Sequence, residues 1–401
     1  LAIDEHEAVD RLRATLDETV RQHLVSDVPL GMFLSGGIDS SAVAAFAAPH
    51  ASGRLQTFAI GFDDPSFDES AHARRVAAFL GTDHHEDVLD VRAALDLVAK
   101  LPELIDEPLG DGSFLPTYLL SRFARRSVTV ALSGDGGDEV FAGYPTYQAH
   151  RLAAVYGRAP AFLRDRMIRP AVDRLPVSLA NLSVDFRLKR FVAGADADAV
   201  ERHAVWMGSF TPAEQRLLFT EPALARMERP PSYDAIRDVA AHARTASSLA
   251  RVQYLDLKGY LGEGVLTKVD RASMACSLEV RPPLLDRRVV ELAARLPDRL
   301  KLRRLTTKYV LKRALRGRLP AEILTRKKKG FGVPFGRWFR AELAPLLAEV
   351  LSPDVVRKQG LFRPEKVTRL IDEHQRGLHD HRKKLYTLLA FQLWARQYRV
   401  A

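Results

Sequence analysis

The sequence predicts an α/β protein with a doubly wound, mainly parallel sheet and a large helical elaboration. Two observations support this prediction. Between residues 28 and 132, short apolar runs alternate with amphipathic helical patterns, an alternation typical of a parallel sheet covered by helices. Beyond Tyr147 the strand signal fades, and helical patterns broken by prolines continue to residue 260. We therefore expect an α/β core at residues 1–147, a helical subdomain at 148–260 and a helical C-terminal part at 261–401.

The elements of the predicted core follow from hydrophobic spacing and turn residues. A helix at residues 4–25 places Val9, Leu12, Leu16, Val20 and Leu24 on one side. After it we expect strand 28–34, helix 39–48, strand 55–62, helix 68–80, strand 84–89, helices 91–101 and 113–126, and strand 128–132. Ligands of parallel sheets bind beyond the carboxyl ends of the strands. The loops at residues 35–41, 61–68 and 133–144 are therefore the candidate site.

Composition narrows the class of protein. The chain has 401 residues, of which 47% are hydrophobic and 27% charged, and no apolar run approaches the length of a membrane span. We expect a cytoplasmic protein with no membrane partner. The single cysteine, Cys276, excludes a disulfide within the chain. The net charge of +10 comes mostly from arginines scattered among acids, which argues against nucleic-acid binding.

The stretch Leu34–Ser41, LSGGIDSS, joins the first predicted strand to a helix through a tight turn. Two adjacent glycines allow close approach of a ligand, and the free N–H groups of a new helix favour phosphate. The G-x-x-x-x-G-K-[ST] pattern of common NTPases is absent, and no Gly-Lys pair occurs in the chain. Cleavage at the γ-phosphate is therefore disfavoured.

A second glycine-rich loop, Ser133–Glu139, follows the last predicted strand and carries three carboxylates within five residues. Mg²⁺ binds one or two carboxylates together with phosphate oxygens. The alternative is a solvated acidic turn that begins the next helix. Because the two loops follow two strands of one sheet, Asp39 and Asp138 could share a Mg²⁺ that also binds ATP.

Five ordered motifs together resemble the synthetase domain of the asparagine synthetase B (glutamine-hydrolysing) family, within the ATP pyrophosphatase (PP-loop) superfamily. They are SGGIDSS (35–41), TFAIGFDDPSFDE (57–69), LPTYLLSRFARRSVTVALSGDGGDEVFAGY (115–144), KVDRASMACSLEVRPPLLD (268–286) and RKKKGFGVPFGRW (326–338). The resemblance implies a sheet of the adenine nucleotide alpha hydrolase-like type. It covers most of the chain and is weakest at residues 150–250.

The resemblance also implies an ATP-dependent amide-forming ligase. Such an enzyme activates a carboxylate, here most simply the aspartate side chain, as acyl-AMP with release of pyrophosphate, and transfers it to ammonia to give asparagine. Three alternatives stay open: another acid, an internal amine that closes a lactam or macrolactam, and a non-catalytic nucleotide-binding domain. The resemblance is also compatible with a homodimer.

Site residues are carried over from the resemblance position by position. The residues expected to bind ATP are Leu34, Ser35, Gly36, Gly37, Asp39, Ser40, Ser41, Ile60, Ser133 and Gly134. Those from Ser35 to Ser41 would hold pyrophosphate, and Leu34, Ile60 and Gly134 would line adenosine. Asp39 and Asp138 would bind Mg²⁺.

Three further residues are expected to be catalytic. Asp135 matches a position where many family members have glutamate, a residue associated with forming and using the acyl-adenylate. Lys268 and Arg271 are both candidates for the cation that stabilises charge during adenylation, and spacing alone does not choose between them. The alternative for either is a surface pair with Asp270. The run Arg326–Lys329 is interpreted as a solvated loop that could add positive potential beside ATP.

Glutamine-dependent members of the family carry an N-terminal glutaminase domain with a catalytic cysteine, and this chain has no such domain. Two explanations stay open. The chain could be a stand-alone synthetase that uses free ammonia or another amine, or a fragment of a longer protein. We expect the second.

Overall fold

The strand β1, Leu30–Phe33, is the centre of a five-stranded parallel sheet in the computed structural model, which describes residues 3–89, 91–245, 247–326, 328 and 330–400. The other strands are β2 (Gln56–Gly61), β3 (Asp83–Val88), β4 (Val130–Leu132) and β5 (Glu279–Arg281). Their order across the sheet is β3-β2-β1-β4-β5. All four neighbouring pairs are parallel.

The strand order reverses at β1, because the chain runs outward to β2 and β3 on one side and then returns to β4 on the other. Gly31 of β1 pairs with Gln56 of β2 and with Ala131 of β4, so the carboxyl ends of these strands lie at one edge. A crevice at such a reversal is where parallel sheets bind ligands. The loops after β1 and β4 flank this point.

The α-helices alternate with the strands in the first part of the chain and then follow one another. Up to residue 156 they are α1 (Glu5–His23), α2 (Ile38–Ala47), α3 (Ser70–Leu80), α4 (Val91–Leu104), α5 (Phe114–Ala124), α6 (Gly137–Val140) and α7 (Pro145–Tyr156). The remainder are α8 (Ala161–Leu163), α9 (Arg169–Asp173), α10 (Val184–Gly194), α11 (Ala199–Met207), α12 (Pro212–Leu218), α13 (Glu221–Ala225), α14 (Asp234–Ala241), α15 (Ser248–Leu255), α16 (Thr267–Met274), α17 (Arg287–Arg295), α18 (Asp298–Lys301), α19 (Tyr309–Ala314), α20 (Ala321–Thr325), α21 (Phe335–Trp338), α22 (Ala344–Val350), α23 (Pro353–Gln359), α24 (Pro364–Gln375) and α25 (Arg382–Tyr398).

Shorter or wider helical turns complete the list of elements. Two 3₁₀ turns lie at Ala48–His50 and Pro283–Leu285, and π-helical segments lie at Arg164–Ile168 and Asp256–Leu266. No helix formed by the described residues is both long and apolar enough to cross a membrane.

The chain divides into two compact units, and each unit takes pieces from several parts of the sequence. Unit 1 comprises Leu1–Asp90, Phe114–Gln148 and Ala243–Phe331, and unit 2 comprises Val91–Ser113, Ala149–His242 and Gly332–Ala401. The sequence prediction instead divides the chain into three contiguous segments. That division stays a prediction about sequence organisation.

Unit 1 contains the sheet and a large apolar core. Its fully buried side chains include Leu12 and Leu16 of α1, Met32 of β1 and Phe46 of α2. The apolar spacing predicted for the first helix therefore faces this core, as expected for an amphipathic helix.

Unit 2 is helical and has its own buried aromatic residues. Phe335 packs against Phe339 and Tyr386, with ring centroids 5.3 and 4.6 Å apart. Trp338 is 1% exposed. Helix α25 packs against α4 within this unit.

The structure confirms the predicted fold class, an α/β fold with a parallel sheet and many additional helices. The four predicted strands form close to their predicted bounds. The fifth strand, β5, was not predicted, because Glu279–Arg281 has only three residues and two of them are charged. Its pairing with β4 places it at an edge of the sheet.

Candidate active site

The Ser40 hydroxyl forms hydrogen bonds within the loop after β1. The Ser35 backbone N–H donates to Ser40 Oγ at 3.2 Å, and Ser40 Oγ donates to the Gly37 carbonyl at 3.3 Å. Gly36 has a φ of +67°, and a Cβ there would lie 2.4 Å from the backbone carbon of His72. Only glycine fits this turn. Helix α2 begins directly after it, so the first N–H groups of α2 belong to the same loop.

The loop after β4 lies against the loop after β1. A Cβ on Gly134 would lie 2.5 Å from the Ser40 nitrogen, and a Cβ on Gly137 would lie 2.3 Å from Asp39 Oδ1. The glycines therefore allow the two loops to touch. The short helix α6 follows at once and carries Asp138 in its first turn.

A lysine that is distant in sequence joins the two loops. Lys308, which precedes α19, forms ion pairs with Asp39 Oδ2 and Asp138 Oδ1, the second at 2.5 Å. Its side chain is 4% exposed. A second ammonium group, Lys328 Nζ, lies 2.6 Å from Asp138 Oδ2. Two carboxylates and two ammonium groups thus meet at the carboxyl edge of β1 and β4.

The two carboxyl groups differ in pKa because their neighbours differ. Burial raises the pKa of Asp39 above its usual range, since Lys308 offsets only part of the desolvation and the nearby Asp138 charge adds to it. Burial also acts to raise the pKa of Asp138, but Lys308 and Lys328 outweigh it and hold this pKa at about 2. The pKa of Lys328 is correspondingly raised, chiefly by Asp138 against the opposing effect of burial.

The donor atoms at this edge fit a divalent cation. Asp39 Oδ1 is buried and accepts no hydrogen bond from the part of the chain that the structure describes, and the same holds for the Ser41 and Ser133 hydroxyl oxygens. Carboxylate and hydroxyl oxygens are the ligands that Mg²⁺ prefers. An unsatisfied buried oxygen is costly unless a partner binds it.

A network of buried polar side chains forms hydrogen bonds with α6 and with its Glu139 side chain. Gln253 of α15 donates its amide to the carbonyls of Glu139 and Val140, at 2.7 and 3.0 Å. The Tyr144 hydroxyl donates to Glu139 Oε1 at 2.6 Å. Glu139 is 1% exposed, and burial together with the Asp138 charge raises its pKa to about 7. Gln253 satisfies carbonyls that a short helix leaves free at its C-terminus, which fixes the helix that carries Asp138.

Arg326 contacts the loop after β1. Its guanidinium donates to the Gly36 carbonyl at 3.0 Å and forms an ion pair with Glu69. The Arg326 side chain is 10% exposed, so the interpretation of the basic run as a solvated loop is wrong for this residue. Lys327 and Lys329 lie outside the described residues.

Comparison with known proteins agrees with the motifs. A family model described as asparagine synthase matches residues 11–396. This chain belongs to the asparagine synthase family. The putative asparagine synthetase (glutamine-hydrolyzing) of Mycobacterium tuberculosis is 37% identical over 393 residues, which cover 96% of this chain and 57% of that protein. Asparagine synthetase (glutamine-hydrolyzing) 1 of Bacillus subtilis is 31% identical over 392 residues, which cover 98% of this chain and 60% of that protein.

A more distant relative has a different name. Amidase chyE of Penicillium rubens is 27% identical over 392 residues, which cover 90% of this chain and 57% of that protein. The chain therefore spans 57 to 60% of the length of the three relatives. The membership of the asparagine synthase family predicted from the five motifs is confirmed.

The structure brings together the two glycine-rich loops, which contain most of the ATP-binding residues expected for an asparagine synthase. Leu34 and Ile60 are 1% and 8% exposed, and the Ser133 N–H donates to the Arg281 carbonyl at 2.9 Å. Ser41 is fully buried, and its N–H donates to the Gly37 carbonyl at 3.0 Å. Their roles with ATP stay predictions.

The expected catalytic residues occupy different environments. Asp135 is half-buried in the loop after β4. Lys268 of α16 is 7% exposed. Arg271 of the same helix forms the surface pair with Asp270, at 3.1 Å, that was the alternative interpretation. The roles of all three stay predictions.

Sequence reasoning missed Lys308 and gave Lys328 no specific partner. Lys308 lies 269 residues from Asp39 in the chain, and a lysine before a helix is usually a surface residue. Its left-handed backbone, with φ +52°, is not visible in the sequence. For Lys328 the signal was present, because a basic run near an acidic phosphate site predicts ion pairs.

Proposed function

We propose that this chain catalyses ATP-dependent amide formation, with the side-chain carboxylate of aspartate as acceptor and asparagine as product. One observation supports this proposal above the others. Asp39, Asp138 and Lys308 meet where the strand order reverses, beside a glycine- and serine-rich loop that suits pyrophosphate. The names of the two asparagine synthetase relatives support the choice of substrate.

In the first half-reaction, a carboxylate oxygen attacks the α-phosphorus of ATP and pyrophosphate leaves. The N–H groups and hydroxyls of Ser35–Ser41 bind the pyrophosphate, and Lys308 offsets the negative charge that moves onto it. Asp39 and Asp138 would hold Mg²⁺, which when bound supplies further positive charge to the phosphate oxygens. Leu34, Ile60 and Gly134 line adenosine. No side chain need act as a covalent nucleophile, because positioning and charge stabilisation suffice.

In the second half-reaction, ammonia attacks the acyl carbon and AMP leaves. Asp135 is assigned to forming and using the acyl-adenylate. Lys268, buried in α16, is the preferred second cation, because Arg271 is engaged with Asp270 at the surface. The amine is expected from a glutaminase domain in a longer chain, since the relatives are glutamine-hydrolysing and extend well beyond the matched region.

A second candidate keeps the adenylation chemistry but changes the acid or the amine. Two observations favour it: Asp135 is one methylene shorter than the glutamate of many family members, and one relative is named an amidase. A shorter carboxylate leaves more room at the acyl group.

The test is exchange of labelled pyrophosphate into ATP with Mg²⁺ and a panel of carboxylic acids. We expect exchange with aspartate, and we expect Asp39→Asn to lower it by at least about 100-fold, as for loss of a group that stabilises transition-state charge. The matched control is Asp10→Asn on the exposed face of α1, which should keep full exchange. Exchange with another acid but not with aspartate would move the assignment to the second candidate. No exchange with any acid would contradict adenylation itself.

A further inference from the structure

Exposed apolar side chains are concentrated in one part of unit 2. Large apolar residues that are at least 40% exposed follow one another along the chain at Leu152, Val155, Phe162, Met167, Val184 and Leu188. They belong to the later turns of α7, to the helical stretch 161–173 and to α10. Large exposed apolar patches on a protein surface mark sites of interaction.

Contacts between α7 and α10 make several of these side chains neighbours. The Tyr156 ring of α7 lies 5.5 Å from the Phe191 ring of α10, measured between centroids. Leu152 precedes Tyr156 by four residues and Leu188 precedes Phe191 by three, so each lies on the same helix side as its ring. Val184 continues the line four residues before Leu188. We call this surface the apolar face, formed by Leu152, Val155, Val184 and Leu188 around the two rings.

The helical stretch 161–173 lies beside the apolar face. The Arg164 guanidinium carbon is 5.8 Å from the Tyr156 ring centroid. In the same stretch, Phe162 and Met167 are 63% and 58% exposed. Side chains that line a groove are partly covered by its walls, whereas these protrude. Protruding side chains fit a partner that deforms around them better than a rigid peptide.

The same part of the chain carries more than half of the net positive charge. Residues 151–190 contain nine arginines and lysines but only three acids, a balance of +6 against +10 for the whole chain. Arg164 and Arg169 are already paired with Asp196. Four other arginines are exposed and form no ion pair with the described residues: Arg158, Arg166, Arg174 and Arg187.

Three of these arginines directly follow exposed apolar residues on their helices. Arg158 lies three residues after Val155, Arg166 four after Phe162, and Arg187 three after Val184. Residues at these spacings are neighbours on a helix surface. Each apolar side chain therefore has a cation beside it. A second copy of the chain would bring arginines against arginines, which is unfavourable.

We propose that the apolar face and the four exposed arginines bind the surface of a lipid bilayer that contains anionic lipids. The apolar side chains enter the boundary between headgroups and acyl chains, and the guanidinium groups bind headgroup phosphates. Such binding needs no membrane-spanning helix. It is a further activity of unit 2 and is independent of the amide-forming reaction proposed for unit 1.

The experiment is sedimentation of the whole chain with two kinds of vesicle. One contains phosphatidylcholine with about one third phosphatidylglycerol, an anionic lipid, and the other contains phosphatidylcholine alone. We expect binding to the anionic vesicles and at least about tenfold weaker binding to the neutral ones. Raising the salt from about 0.1 M to about 1 M shortens the Debye length from about 10 to about 3 Å and should release the protein.

Variants of α10 separate the apolar and the ionic contributions. The double variant Val184→Ser, Leu188→Ser should bind anionic vesicles at least about tenfold more weakly, as expected when two apolar side chains no longer leave water. Arg187→Gln should weaken the same binding by about fivefold, whereas Arg187→Lys keeps the charge and should stay near wild type.

The matched controls lie on another exposed helix of unit 2. Val355→Ser and Lys358→Gln of α23 remove an exposed apolar side chain and an exposed cation, and both should bind as wild type does. All these substitutions are at exposed positions, so the urea midpoint of unfolding should not change.

Three results would overturn the inference. Failure of wild type to sediment with anionic vesicles would reject a lipid partner in favour of an acidic protein segment. Equal binding by wild type and by Val184→Ser, Leu188→Ser would remove the apolar face from the interaction. A wild-type dimer in sedimentation velocity that this double variant dissociates would assign the face to a second copy of the chain.

Discussion

At the scale of single residues, the site depends on a lysine that is held in an unfavourable backbone conformation. Lys308 has φ +52°, which residues other than glycine rarely adopt. Such strain persists where surrounding contacts impose it, and it occurs often at functional sites. Here the contacts are the two carboxylates and the start of α19.

Gly143 provides a test of this placement. A Cβ on this residue would lie 2.0 Å from Lys308 Cε and 2.1 Å from Asp138 Oδ1, so Gly143→Ala must displace the lysine or the carboxylate. We expect pyrophosphate exchange to fall by at least about tenfold, since displacement of about 1 Å at a reacting group is that costly. Gly53→Ala, where a Cβ meets nothing within 4 Å, should keep full exchange. Equal activity of both variants would show that Lys308 has no role in the reaction.

The two acids could be predicted from the sequence, whereas their lysine partner could not. Asp39 and Asp138 each lie in a glycine-rich loop directly after an apolar strand, and this local pattern indicates a phosphate or metal site. Lys308 has no such pattern, because its role comes from a contact made 269 residues away from Asp39. Local sequence indicates where a ligand can bind. It does not reveal which distant cation arrives there.

At the scale of elements, two partly buried cations stabilise the end of α11 in unit 2. Arg190 donates to the Trp206 carbonyl at 3.1 Å and also to the Gly208 carbonyl, and Lys383 donates to the Met207 carbonyl. These are the last carbonyls of α11, which carry the negative end of the helix dipole. Burial, together with the nearby Arg190 charge, lowers the pKa of Lys383 to about 7.

This pKa predicts how stability depends on pH. The native chain releases the Lys383 proton near pH 7, whereas an unfolded lysine keeps its proton until about pH 10.4. Between these values the unfolded state binds more protons, so the free energy of unfolding rises with pH. From pH 7 to pH 9 we expect wild type to gain about 2 kcal/mol relative to Lys383→Met.

Urea denaturation at the two pH values measures the difference. Lys384→Met is the matched control, because it removes the neighbouring lysine, which pairs with Glu214 at 2.5 Å, and keeps Lys383, so this variant should gain stability from pH 7 to pH 9 as wild type does. A constant gap between wild type and Lys383→Met would mean that Lys383 stays charged in the native state.

The elements themselves were predictable where periodicity extends over several residues. The amphipathic α1 and the apolar strands β1 and β2 lie near their predicted bounds. Strand β5 was missed because three residues are too few for periodicity, and its identity comes only from pairing with β4. Tertiary pairing decides short strands more than propensity does.

At the scale of the whole molecule, the alternation of strands and helices predicted the fold class but not the division into compact units. Each unit is assembled from pieces of chain far apart in sequence, and contacts between such distant pieces are not visible in local periodicity. The residues proposed to bind phosphate and cation all belong to unit 1. Binding of these ligands should therefore stabilise unit 1.

A ligand stabilises the structure that contains its binding residues, by an amount set by its concentration relative to the dissociation constant. At pyrophosphate and Mg²⁺ concentrations about 100 times that constant, the stabilisation is about 2.7 kcal/mol. We therefore expect amide hydrogen exchange to slow by up to about 100-fold in β1, α2 and β4 of unit 1. In unit 2, the amides of α11 and α24 should exchange as they do without ligand.

The same titration with Asp39→Asn should abolish the protection, because this variant lacks the carboxylate proposed to hold the cation. Equal protection of α11 and β1 would contradict the placement of the phosphate site within unit 1.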